Sequence, residues 1–364
     1  MTSLDSKSQG RRAFLKAIPV LAGGALSAAA LLSITRPQTK PGFHHFSFAA
    51  SFKGDLYYPA IIADQEGFYR DEKQAVDINY GFGGGDSLRL VAAGRLPLNC
   101  AEAGEPIVLA HSKGANVSLI CTYMVGESNC LVAQPGIKSY KDLPNGEILL
   151  GVSNPYASST VSALLMLRKA GVAPQRITPV SVGSSSGRYA AVLARRVRVA
   201  AVDLAFAVRA PLDGLNVLGR ATDVLYPTVF ISHSVNNDWV DRNKENFDLA
   251  VRNTTATLRG LHWGFANKNK MIKWLEDVAQ VPAKAAPEYY EIAFESSRPV
   301  FSSDGKLLPQ AWKNTFKELE SLQEMKPPFP KLSDLQRDDI YDAAVKRLRE
   351  IYRIELTPPK AEAA

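Results

Sequence analysis

Cysteine is scarce in this chain, with Cys100, Cys121 and Cys130 the only three among 364 residues, and histidine is scarce too, at five. Three cysteines cannot build a disulfide framework, and neither their spacing nor the isolated His44, His45 and His111 match a metal cluster, so no metal is expected. A bridge between Cys121 and Cys130 is one reading by proximity; three buried small apolar side chains is the other. Charge of one sign is not blocked together either. Lys and Arg number 43 against 36 Asp and Glu, a net charge of +7, but the basic residues are scattered and no aromatic-basic motif accompanies them. That argues against a nucleic-acid partner, and part of the excess belongs to the N-terminal segment and to solvated faces of the C-terminal helices. What is present, 46% hydrophobic and 22% charged residues, is the composition of a globular protein long enough for two domains with real cores.

An uncharged Gly/Ala-rich run covers residues 17–34, preceded by Gly10, Arg11, Arg12, Ala13, Phe14, Leu15 and Lys16. Paired arginines, an apolar pair and a lysine ahead of such a run have the layout of a twin-arginine export signal. Ser27, Ala28, Ala29 and Ala30 offer small residues for cleavage after Ala30; left uncut, the run has about the minimum length of a membrane anchor. No cysteine follows it, which argues against a lipid anchor. Residues 1–40 are thus expected to be an export signal and linker, and the folded chain to lie in the periplasm.

Strand-sized apolar runs then recur, each leading into a small-residue loop and a helix. A strand over 45–50 leads into the loop 51–57 and a helix to Phe68; a strand over 76–80 leads into a Gly-rich loop, 81–87, and a helix over 88–93. About a hundred residues on, a strand over 148–152 leads through loop 153–156 to a helix continuing over 161–169, with Ser158, Ser159 and Thr160 on its first turn. A strand over 177–182 leads through Gly183, Ser184, Ser185, Ser186 and Gly187 to a helix over 188–193. A helix start offers N–H groups without intrahelical partners and the positive end of the helix dipole, so it can hold an anion, although an ordinary capped helix is the plainer reading. Ligands of open α/β sheets bind beyond the carboxyl ends of the strands, so two facing sheets would converge four such starts on one cleft. The first loop adds Phe52, Tyr57 and Tyr58 for an apolar body and Lys53 and Asp55 for polar groups. Gly84, Gly85 and Asp86 belong to the second loop, Asn154 and Tyr156 to the third, Ser184 and Ser185 to the fourth. Arg188 suits a planar oxyanion by bidentate pairing, or is a surface residue at a helix start. Glu102 and Glu105 either contact a cationic group or cap the helix over 106–111, and the cap is the expectation.

Four stretches carry a family resemblance. Pro59, Ala60, Ile61, Ile62, Ala63, Asp64, Gln65, Glu66, Gly67, Phe68, Tyr69, then Val76, Asp77, Ile78, then the run from Gly83, Gly84, Gly85, Asp86, Ser87 to Ala93 and Gly94, resemble the opening of the periplasmic substrate-binding proteins of ABC transporters in the nitrate, sulfonate, taurine and thiamine-pyrimidine-precursor group. Residues 136–146, with Gly136, Ile137, Ser139, Asp142 and Leu143, resemble the turn that precedes the second lobe in that group. Two places depart from its pattern: Arg95, Leu96, Pro97, Leu98 and Asn99 stand where an Asp usually follows Gly94, and Arg198 replaces a glycine ahead of Asp203, leaving Asp203 as a ligand contact or a helix cap.

The resemblance implies a two-lobed α/β binding-protein fold, type II-like, with two hinge crossings, a ligand cleft between lobes and extra C-terminal helices. Strands over 117–124 and 130–133 would lead to the second lobe, and strands over 217–225 and 227–232 would return, so 41–128 with 227–356 form one lobe and 129–226 the other. Helices are expected over 239–268, 271–279, 287–296, 310–325 and 334–354, with Trp263, Trp274 and Trp312 in the core and a disordered tail over 357–364. The implied function is capture of a small organic anion, a sulfonate or carboxylate with an alkyl or an aromatic body, by a monomer that delivers it to an inner-membrane permease without cofactor or catalysis. An enzyme on the same fold, such as a pyrimidine-precursor synthase or decarboxylase-like protein, would need a nucleophile–base pair that the four loops do not supply. A ligand-binding subunit of a sensor would differ only in its partner.

Overall fold

The structure is a computed structural model that describes residues 42–82, 85–154, 157–321 and 324–358. The expectations for residues 1–40, Gly84, Tyr156, the side chain of Ser158 and most of the tail lie outside the described residues.

Each apolar run forms a strand and each small-residue loop releases a helix. The first half runs β1 (His44–Ala50), α1 (Tyr58–Gln65), β2 (Gln74–Tyr80), α2 (Asp86–Ala92), β3 (Leu98–Glu102), α3 (Gly104–His111) and β4 (Val117–Thr122). After a crossing the chain enters β5 (Asn129–Ala133) and repeats the pattern as β6 (Ile148–Val152), α4 (Ser158–Lys169), β7 (Ile177–Ser181), α5 (Ser185–Leu193), β8 (Val199–Asp203), α6 (Leu204–Arg209) and β9 (Asn216–Arg220). It then recrosses into β10 (Ser232–Asn236), followed by the long α7 (Lys244–Ala266), α8 (Lys268–Asp277), α9 (Ala286–Tyr290), α10 (Pro309–Ser321) and α11 (Asp338–Arg347).

The second sheet has the order β7-β6-β8-β5-β9, with β6 parallel to β7 and β8 and β5 antiparallel to both of its neighbours. In the first lobe β1 pairs parallel with β2, and β10 lies antiparallel between β3 and β4. The side chain of Asn99 on β3 joins these two pieces. Its Oδ1 accepts from the Ala49 N–H at 2.8 Å and its Nδ2 donates to the Ala49 carbonyl at 3.1 Å, as a neighbouring strand's peptide would. With that link the first-lobe order is β2-β1-β3-β10-β4, the permutation of the second lobe, and in both lobes the strand arriving from the other half occupies the fourth place.

The returning strand begins later than the residue pattern suggests. Residues 221–231 form a short turn and a crossing segment, and the ladder starts only at Ser232. Ser232, His233, Ser234, Val235 and Asn236 are all buried, because β10 is flanked on both sides. A strand so polar shows no apolar signature, whereas the apolar residues before it pack along the crossing. All three cysteines are buried and free, so no Cys121–Cys130 bridge forms; burial pushes their thiols up, that of Cys130 to about 12.

The C-terminal helices cover the first lobe. Tyr58 lies edge-on to Phe301 at 4.8 Å and close to Phe294 and Trp274, and Trp312 is fully buried, whereas Trp263 packs only partly into the core. Near the chain end, Arg347 makes a bidentate pair with the buried Glu72, its Nη2 at 2.7 Å, and the Tyr352 hydroxyl donates to the same carboxylate at 2.7 Å.

Helix α10 docks beside α3 through two carboxyls, Glu105 and Glu318. Burial holds both above the ordinary carboxyl value of 4.5, and Glu318 keeps its proton and donates to Glu105. A folded-state pKa raised above the unfolded one means that the folded chain binds the proton, so this stabilisation is complete below pH 4.5 and is lost as pH rises above it. Glu318→Gln supplies the donor without an ionisable proton. Its melting temperature should match the parent at pH 4.5 and exceed it increasingly toward pH 9; a difference that does not change with pH would show that Glu318 is ionised in the folded protein.

Candidate functional site

Asp55 and Asp203 meet where the strands' carboxyl ends of the two lobes face each other, and a third buried carboxyl, Glu102, ends a neighbouring strand of the first lobe. Asp55 follows β1 in a single 3₁₀ turn, Asp55–Tyr57, and is 3% exposed. Burial raises its pKa to about 6 in spite of the hydrogen bond it accepts from Tyr289, and the charge of Asp203 in the other lobe pushes the same way. Asp203 ends β8; burial raises it, while the Arg188 guanidinium and Ser185 hold it down. Glu102 ends β3, is 2% exposed, and accepts from Asn99 Nδ2 at 2.7 Å and from Ser87 on the first turn of α2. Burial dominates again and lifts Glu102 to about 7. Tyr57 packs close enough to feel Glu102 and hydrogen-bonds Ser51 at 2.7 Å, its hydroxyl pushed up to about 12 by burial. Tyr289 on α9 spans the junction, since α9 also packs against α6 of the second lobe.

Several residues read as ligand groups have other employment. Arg188 is neither a surface residue nor an open anion clamp: it is 4% exposed, with Nε donating to the Ala201 carbonyl and Nη1 to the Gly183 carbonyl. Lys53 lines a cavity of about 350 Å³ along β2, with Asp64, Asp77 and Tyr80, rather than the Asp55–Asp203 junction. Asp86 is paired with Arg89 at 2.6 Å. The cap expectation fails for Glu102 and Glu105, because α3 begins at Gly104, and its cap residue Ala103 supplies no side-chain bond. Asp203 stands at the cap position of α6 without capping it; instead its own N–H donates to Ser185 Oγ at 2.7 Å.

The remaining predicted residues build the loops themselves. Gly85 takes φ +89°, which suits glycine at the start of α2. Ser184 caps α5 by accepting from the Gly187 N–H at 3.1 Å, so Ser185, Ser186 and Gly187 form the first turn rather than a loop. Ser159 is buried against Ser153 at 2.9 Å, and Thr160 is buried with its hydroxyl donated to the Asn154 carbonyl at 2.5 Å. Phe52 is half-exposed and lies edge-on to Tyr57 at 5.7 Å. A second cavity, about 240 Å³ and lined by Tyr140, Met166, Lys169 and Asp223, opens beside α4; neither cavity is lined by Asp55, Glu102 or Asp203.

Sequence reasoning missed Tyr289, Ser87, Asn99, Asn129 and Ser232. Tyr289 stands 234 positions from its partner Asp55, and no local pattern marks it. Asn129 and Ser232 open β5 and β10, and only the sheet register brings them beside Asp203 and Glu102.

A family model described as NMT1/THI5 like matches residues 57–269. Among solved structures, the periplasmic nitrate-binding protein NrtA from Synechocystis PCC 6803 superposes with a TM-score of 0.66 at 13% identity, over 89% of this chain and 94% of its own. The periplasmic aliphatic sulphonate binding protein SsuA from Escherichia coli gives 0.60 at 16% identity, over 78% and 88%. The desulfurization enzyme DSZB gives 0.62 at 14% identity, over 84% and 100%. Comparison with the curated proteins gives no match. At these identities the structural likeness establishes the fold, which hosts both binding proteins and an enzyme.

Proposed function

Because the chain belongs to the NMT1/THI5-like family and folds as a two-lobed periplasmic binding protein, we propose that it is an exported receptor that captures a small solute between its lobes and delivers it to an ABC importer. The observation that carries this reading is the meeting of Asp55 and Asp203, one from each lobe, at the carboxyl ends of two sheets with the same strand order. A solute bridging such a junction stabilises the closed arrangement, and a permease can recognise that arrangement. The lobes are 41–128 with 227–356 and 129–226, joined by the two crossings. Export by the twin-arginine route places the receptor in the periplasm, where it acts as a monomer. The finer expectation of an organic anion draws on the starts of α2, α4 and α5, which follow the carboxyl ends of β2, β6 and β7. Catalysis has less support, because the burial that pushes the cysteine thiols up makes them poor nucleophiles.

Thermal unfolding of the purified chain against alkyl and aryl sulfonates, aromatic carboxylates, nitrate, pyrimidines and amines tests the receptor reading. A true ligand at about a hundred times its Kd should stabilise the chain by about 2.7 kcal/mol. Turnover of that ligand into a product would replace the receptor reading with an enzyme.

A further inference from the structure

The two lobes repeat one small arrangement at the ends of equivalent strands. In the first lobe Glu102, the last residue of β3, lies directly opposite Ser232, the first residue of the antiparallel β10. In the second, Asp203, the last residue of β8, lies directly opposite Asn129, the first of the antiparallel β5. Directly opposed residues of antiparallel strands point to the same face, so each carboxyl is accompanied by a short polar side chain. Ser232 is 0% exposed and Asn129 3% exposed, and neither Ser232 Oγ nor Asn129 Oδ1 has a hydrogen-bond partner. Buried polar atoms are nearly always satisfied, and leaving one bare is costly. Two such atoms at matching places beside two carboxyls leave hydrogen-bonding capacity open: Asn129 Oδ1 can only accept, and the Ser232 hydroxyl can accept while donating to the carboxyl beside it.

The local charges point the same way. The chain as a whole is basic, at +7, yet this junction brings Asp55 and Asp203 together, and the first lobe adds the buried Glu102 at the end of β3. The cation beside Asp203, Arg188, has Nε and Nη1 given to backbone carbonyls. An anionic group placed here would face Asp55 and Asp203, whereas an ammonium or amidinium group would pair with carboxylates and donate to the bare oxygens.

We propose that the solute presents a protonated nitrogen to this junction, its N–H groups received by the Glu102–Ser232 and Asp203–Asn129 pairs. This rests on the receptor reading and adds the ligand's chemical class to it. An acidic group elsewhere on the same solute is compatible with it and would face the helix starts.

The test uses three probes that differ in one group: benzylamine, 4-(aminomethyl)benzoate and 4-methylbenzoate, titrated calorimetrically into the purified chain. The two ammonium probes should bind at least tenfold more tightly than 4-methylbenzoate. Ser232→Ala, a change too small to threaten the fold, and Glu102→Gln should each weaken ammonium binding about tenfold, with unchanged far-UV circular dichroism and melting showing that the variants are folded. Exclusive binding of 4-methylbenzoate, or of ethanesulfonate or nitrate in a parallel titration, would overturn this inference and leave the receptor reading standing. Ammonium binding unaffected by both substitutions would overturn it as well, because the cation would then sit elsewhere. Failure of every probe, cationic and anionic, would count against both.

Discussion

Gly260→Ala should cost the protein about 3 kcal/mol or more, one of the largest losses available to a single methyl group in this chain. Helix α7 crosses α1 so closely that a Cβ at position 260 would lie 2.0 Å from the Pro59 carbonyl oxygen and 3.1 Å from the Ala63 nitrogen. Both are backbone atoms, so no side-chain rotation can make room; the helices must move apart. One turn on, a Cβ at Gly264 would fall 2.7 Å from the Tyr58 ring, which cannot swing away without breaking the bond from its hydroxyl to the Leu261 carbonyl and its packing on Phe301. Moving α7 would also disturb Tyr69, whose hydroxyl meets Thr257 at 2.8 Å. Urea unfolding of Gly260→Ala, Gly264→Ala and the double variant should show losses that do not add, since both force the same separation. Gly146→Ala is the control: its Cβ meets nothing within 4 Å, and the change should be nearly silent. A silent Gly260→Ala would mean that α1 and α7 lie farther apart than described here.

The strand–loop–helix repeat was legible because each unit writes its own signals locally: an apolar run, small residues, then an amphipathic run. That was enough to place β6 and α4, and to anticipate two halves that repeat one strand–loop–helix succession. Long-range satisfaction of polar groups was not legible. Asn99 reads as a departure from a family pattern, yet its amide completes the first sheet by substituting for a peptide. The Ser-His-Ser-Val-Asn strand β10 carries no apolar pattern, because partners on both sides decide its burial. Tyr289 and Asp55 could be paired only after the C-terminal helices had been packed against the junction. Charge misled for a related reason: Arg188 occupies the place of an anion clamp in the sequence, but a guanidinium has several donors, and nearby backbone carbonyls claim two of its nitrogens.

Arg188→Met should therefore lower stability as well as alter binding, by roughly 3 kcal/mol. The substitution keeps much of the apolar stem but strips the Ala201 and Gly183 carbonyls of their donors and leaves Asp203 without its neighbouring cation. Because Asp203 feels Arg188 through its charge rather than through a direct ion pair, the loss should sit at the lower end of the range for broken buried pairs. Arg188→Lys should recover little, since an ammonium cannot reach both carbonyls with a planar fork. Asp203→Asn in the Met background should restore part of the loss by removing the uncompensated charge, and a double-mutant cycle in urea isolates that coupling. The cycle separates two roles for this arginine. A residue that only grips ligand would leave the unfolding midpoint unchanged while ligand stabilisation disappeared, whereas a guanidinium that holds β8 to α5 must move the midpoint before any ligand is added.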